Sequence, residues 1–208
     1  MRIVLAAVAT VVVLSAGALS GTNGAEGAAH CALRGAHGLG ADRYGAIAKQ
    51  GTGYYACPHG SRPLALGSDR CFARPGAEAV GPPQLAGPFA VFWTRRCGVD
   101  TAFAGIRSVD LRTRSRTIDV PATTTPQRPE TVESVLALHA RRDGAVAWIV
   151  DSHSLATSAS RRELWVVDSH RRQRRLDSGR GLDPRSLRVA ARSVRWRNGA
   201  ASRSASVG

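Results

Sequence analysis

Past its first 20 residues the chain has no apolar run approaching the ~20 residues that span a bilayer, which excludes a transmembrane helix from the body of the protein. It contains no Gly-x-Ser-x-Gly elbow, no Gly-x-Gly-x-x-Gly opening a helix and no Walker sequence, and so lacks the local signatures of an α/β-hydrolase, a dinucleotide enzyme or a P-loop NTPase. No Cys-x2-Cys pair or closely spaced His pair is present, which argues against a zinc site. There is one lysine, Lys49, so the formal net charge of +14 is an arginine charge. A bias this strong can come from GC-rich codons as readily as from selection for a partner. No convincing amphipathic helix is found either, since the apolar residues recur in short runs without a 3.6-residue period.

The N-terminus has the three regions of a secretory signal. Arg2 is the only charge in the first 25 residues. Ile3–Ala18 is almost wholly apolar or small, 16 residues long and centred on Val11-Val12-Val13-Leu14. Small residues then occupy the −3 and −1 positions of two cuts, after Ala18 and after Ser20. Residues 1–20 are therefore read as a signal peptide and 21–43 as a Gly- and Ala-rich lead-in. Cys31 follows Ala28-Ala29-His30, which does not resemble a lipobox.

The four cysteines are Cys31, Cys57, Cys71 and Cys97, an even number that in an exported chain reads as two disulfides. Three connectivities are open. Loop closure favours Cys57 with Cys71, which are only 14 residues apart.

The remaining residues, 44–208, read as all-β: short segments separated by Gly, Pro and Asp turns. Four units are expected, near 44–72, 89–120, 134–177 and 186–207, with Pro-rich connectors at 73–88 and 121–129. Thr131–Arg141 can be forced into a helix, but it runs directly into Asp143-Gly144, a strong hairpin signal, and is assigned as strand. A period of ~40–50 residues with up to four strands per unit is the spacing of propeller blades. Three to four units are fewer than the usual four to eight of a closed ring. The expected architecture is thus antiparallel hairpins in a partial propeller-like stack or a β-sandwich.

The run Asp143-Gly144-Ala145-Val146-Ala147-Trp148-Ile149, then Glu163-Leu164-Trp165-Val166-Val167-Asp168, Leu176-Asp177-Ser178-Gly179, Leu182-Asp183-Pro184-Arg185-Ser186-Leu187-Arg188 and Val194-Arg195-Trp196 resembles a pattern common in exported proteins of high-GC Gram-positive bacteria. Gly53-Tyr54-Tyr55-Ala56-Cys57 and Val109–Thr113 fit the same pattern. The resemblance implies propeller-type repeats and an extracytoplasmic setting, and carries over no catalytic residue. The chain departs from it in a polar insert, Asp151–Arg162.

Asp151-Ser152-His153 and Asp168-Ser169-His170 hold the residue types of a hydrolase triad. Neighbours on one strand point to different sides, however, and Asp and Ser at a strand exit favour turns. His30, His37, His59 and His139 are scattered. Trp93, Trp148, Trp165 and Trp196 fall in different hairpins and read first as core rings, second as a stacking platform. Between Arg161 and Gly199 there are twelve arginines against Glu163, Asp168, Asp177 and Asp183. Arg171, Arg172, Arg174, Arg175, Arg195 and Arg197 are the candidate anion contacts in that stretch, for an anionic envelope polymer or nucleic acid. No catalytic, metal or cofactor residue is assigned. The expected function is a non-enzymatic extracytoplasmic structural or binding module, with a polyanion binder second and a hydrolase third.

Overall fold

The computed structural model describes residues 31, 33–71, 76–98, 101–124 and 130–207. The signal segment 1–20, its cleavage sites and Pro126 and Pro129 of the second connector lie outside them. The described residues form strands and one 3-10 turn, with no α-helix and no helix long and apolar enough to cross a membrane.

The strands fall into four consecutive antiparallel units. The first comprises β1 (His37–Asp42), β2 (Gly45–Gln50), β3 (Gly53–Pro58) and β4 (Leu64–Ser68). The second is built on β7 (Phe89–Cys97) and β8 (Ala102–Asp110), with β5 (Glu78–Val80) and β6 (Gln84–Ala86) both pairing with β7, and β9 (Ser115–Pro121) pairing with β8. The third is the meander β10 (Thr131–Ala140), β11 (Val146–Ser154), β12 (Ser160–Val167) and β13 (Gln173–Ser178). After a 3-10 turn at Pro184–Ser186, β14 (Arg188–Val189), β15 (Ser193–Asn198) and β16 (Ala201–Ser206) make the fourth.

The first three units share one sheet, but only through single parallel pairs: Ser68 opposite Ala79, and Val132 opposite Ala102. The sheet runs from β1 to β13 without closing into a barrel. At each of those corners it folds over, so that successive units meet face to face as in a sandwich. Alternation along the central strands shows this. In β7, Ala90 and Phe92 face the first unit, where they pack with Ile47, Tyr54 and Ala56. Phe89, Val91 and the half-buried Trp93 face the third, beside Trp148 and Trp165. In β11, Val146, Trp148 and Val150 join that same core, while Ala147 and Ile149 pack against Leu182, Leu187, Val194 and Trp196 of the fourth unit. Strands apolar on both faces are the ones buried between layers.

The ends of the stack differ. The outer face of the first unit, Ala46, Ala48 and Tyr55, is covered by Leu33 and Ala36 and by Cys31, which is bonded to Cys57. The second disulfide joins Cys71, in the connector after β4, to Cys97 at the end of β7. The Cα separations of 5.1 and 6.1 Å suit such bridges. Cys57 therefore does not pair with Cys71. The shorter loop was worth only about 0.5 kcal/mol in closure entropy, and the side chain of Cys57 alternates onto the outer face of its strand, away from the second unit.

Three further expectations are corrected. The lead-in does not extend to residue 43, because His37–Asp42 is an edge strand. The connector 73–88 is not wholly irregular, since it supplies β5 and β6. The polar insert Asp151–Arg162, where the chain departs from the resembled pattern and an irregular excursion is the natural expectation, is instead built into the hairpin: β11 and β12 pair without a break from Val146–Val167 out to His153–Ser160.

Candidate anion-binding face

The fourth unit has an inner and an outer face set by the same alternation. Val194 and Trp196 point inward and are buried; Ser193, Arg195 and Arg197 point outward. Cross-strand partners share a face, so Arg188 and Ser204 flank Arg195, and Ser202 lies opposite Arg197. Ser206 stands opposite Ser193. The outer face is thus a lattice of arginine and serine side chains with no apolar residue to cover. A depression of about 500 Å³ beside it is bordered by Arg195, Arg197, Ser186, Ser202 and Ser204, and also by the edge of Trp196 and by Arg203 from the inner face. No acidic residue occurs from Pro184 to Gly208.

Two carboxylates, Asp177 and Asp183, lie near but are already engaged. Asp177 accepts from the Trp196 indole at 2.6 Å, from Asn198 at 3.2 Å and from Arg203 at 3.0 Å. Burial pushes its carboxyl up, yet these partners more than offset that and hold it below the ordinary aspartate value. Asp183 caps the 3-10 turn through the Arg185 amide and approaches Arg197 only loosely, at 3.8 Å. Arg195 makes no ion pair or side-chain hydrogen bond among the described residues. The Arg188 guanidinium is steadied by the carbonyls of Arg185 and Leu187.

The six candidate arginines do not form one patch. Arg195 and Arg197 lie on this face. Arg174 bonds the Ser206 carbonyl and so ties the third unit to the fourth. Arg175 bonds Glu163 at 2.9 Å and is structural. Arg171 and Arg172 sit on the turn after β12, with the Arg171 guanidinium 6.0 Å from the Phe89 ring. Arg188 and the serines were missed by counting charge. The signal was available in the alternation Ser202-x-Ser204-x-Ser206 opposite Arg195-x-Arg197.

The other candidate sites are occupied by structure. Asp168 accepts from the His170 and Arg172 amides and shapes a turn. Asp151 accepts from Ser160 rather than from a histidine. No group of three or more metal-ligating side chains converges among the described residues. Trp148, Trp165 and Trp196 are buried, and their indole N–H groups donate to the Ala122 carbonyl, Glu163 and Asp177.

One buried pair went unnoticed in the sequence. Glu133 and Glu163, 2 % and 1 % exposed, lie near each other in the third unit. Burial raises Glu133, against the Ala104 amide it accepts at 2.9 Å, and Glu163 raises it further. Burial also pushes Glu163 up. Hydrogen bonds from Thr123, Trp165 and Arg175, with the charge of Arg161, more than offset this and hold it below the ordinary value. Carboxyls driven apart in this way can serve as acid and base, but their burial leaves a substrate no approach. They fasten the second and third units together.

No family model, no curated protein and no solved structure matches the chain.

Proposed function

We propose that this protein is an extracytoplasmic, non-enzymatic module that holds an anionic polymer on the outer face of its last unit. The observation that carries this reading is the asymmetry of the two ends of the stack. One end is capped with apolar side chains and a disulfide. The other is an uncapped sheet of arginine and serine whose strands carry no carboxylate, with Asp183 reaching Arg197 only loosely at 3.8 Å. Terminal repeats need a polar outer face for solubility, but alternating charges would meet that need; guanidinium and hydroxyl groups alone are suited to phosphate or carboxylate oxygens.

Two disulfides fit an oxidising compartment. On this reading Met1–Ser20 exports the chain, and the four units are propeller-like blades in an open stack, as in the exported high-GC Gram-positive proteins the sequence resembles. Such a module would anchor itself, or a partner, in an acidic cell envelope.

The test compares two charge-neutralised variants on linear polyphosphate across a salt series. Arg188, Arg195 and Arg197→Ser should weaken binding and flatten the salt dependence, by close to one unit of slope for each phosphate no longer neutralised. Arg34, Arg43 and Arg62→Ser, at the other end of the stack, should leave the slope nearly unchanged. Equal weakening by both triples would reduce the attraction to net charge and refute the reading.

A further inference from the structure

Three of the four tryptophans are buried with their N–H groups bonded inside the fold. Trp93 is different. It is half-buried, its indole N–H has no partner among the described residues, and its ring is pressed so close to Gly81 that a Cβ there would come within 2.0 Å of it. It lines a groove of about 380 Å³ where the edge of the second unit, the bulge in β10 and the 3-10 turn of the fourth unit meet. The bulge between Val135 and Ala137 leaves Leu136 at the groove, 41 % exposed. Pro82 and Pro184 contribute rigid apolar wall, and among the described residues Arg185 and Arg188 are the only charged groups lining it besides the titratable His139. Burial and the charge of Arg188 both lower His139, which favours its neutral form at pH 7.

Arg188 belongs both to this groove and to the outer basic face, through its pairing opposite Arg195. The groove is therefore the continuation of that face, with an aromatic ring and an N–H donor added. We infer that it takes a uronic-acid residue of an acidic polysaccharide. The apolar C–H face of the sugar meets Trp93 and Leu136, a sugar oxygen accepts from the indole N–H, and the carboxylate meets Arg185 and Arg188. This deepens the polyanion reading and rests on it. It selects a carbohydrate over a bare inorganic chain, because guanidinium groups alone would serve the latter.

Trp93 supplies the readout, since its indole is the one left without an internal partner among the described residues. Titration with a galacturonate oligomer, followed by tryptophan fluorescence, should change the emission of the wild-type protein. Trp93→Phe should abolish that change. Leu136→Ser and Arg185→Ser, both at surface positions, should each weaken the oligomer by about tenfold while leaving polyphosphate binding intact. If polyphosphate binds but the oligomer does so no better than a neutral glucan, the groove assignment is overturned and the basic face stands. If neither polyanion binds, both fall. If oligo-dT changes Trp93 emission at lower concentration than the galacturonate, the groove is a base-stacking site and the inference is overturned.

Discussion

Trp148 tests the face-to-face packing of the units most severely. It sits at the middle of β11, fully buried, among side chains of the second and third units, and donates to the Ala122 carbonyl at 2.7 Å. An aromatic side chain of this kind buries about 150–250 Å², which at about 25 cal/mol per Å² corresponds to about 4–6 kcal/mol as an upper estimate. Measured truncations of core aromatics to alanine cost about 3–5 kcal/mol. The carbonyl left without its donor adds about 1 kcal/mol unless water enters the space. We expect Trp148→Ala to lose about 4–5 kcal/mol, which in a domain of this size lowers Tm by roughly 8–20 °C. Trp148→Phe keeps a ring but not the N–H, and should lose about 1–2 kcal/mol. Thermal unfolding by circular dichroism, with disulfides intact and at two scan rates, measures both. The loss should come in a single transition, because the core that Trp148 fills joins two units. A shift below about 2 °C for Trp148→Ala, or a split transition with only one half displaced, would refute the packing argument.

Glu163→Gln should cost about 2 kcal/mol at pH 7, the scale of hydrogen bonds to a charged group, because an amide cannot accept from Arg175 and from the Thr123–Trp165 pair together. A carboxyl held below its ordinary 4.5 stabilises the fold above that value and ceases to do so as pH falls through its lowered one, so the deficit should shrink below about pH 4.5; a deficit constant from pH 7 to 3 would contradict this. Gly144→Ala places a side chain at a φ of +87°, with its Cβ 3.1 Å from the Phe89 ring, and should cost about 1–3 kcal/mol. An unchanged denaturation midpoint would show that the turn relaxes freely.

The second half of the chain was the more legible. Val146–Val150 is apolar at every position, which correctly marks a strand covered on both sides, and Asp143-Gly144 does form the turn between β10 and β11. What stayed hidden has physical causes. β1 buries none of its residues, and its Leu39 and Ala41 alternate only with glycine in a Gly-rich stretch, so no core-facing pattern marks it. β5 and β6 are three residues long and flanked by Pro82, Pro83 and Pro88, which read as breakers. The disulfide pairing depended on which face of β3 carries Cys57, a matter of tertiary stacking rather than of loop length. Charge counting failed for the same reason: Arg175 and Arg195 look alike in sequence, but one satisfies a buried glutamate and the other faces solvent. Only the order of the layers separates them.

The central claim is that the last unit's outer face holds the polymer. Amide hydrogen exchange of the full chain with and without bound polyphosphate reads this directly, residue by residue. Slowed exchange should concentrate in residues 184–206, with the first unit unchanged at His37–Ser68. Protection centred on the Arg107–Arg116 region of the second unit, or spread evenly over all four units, would contradict it.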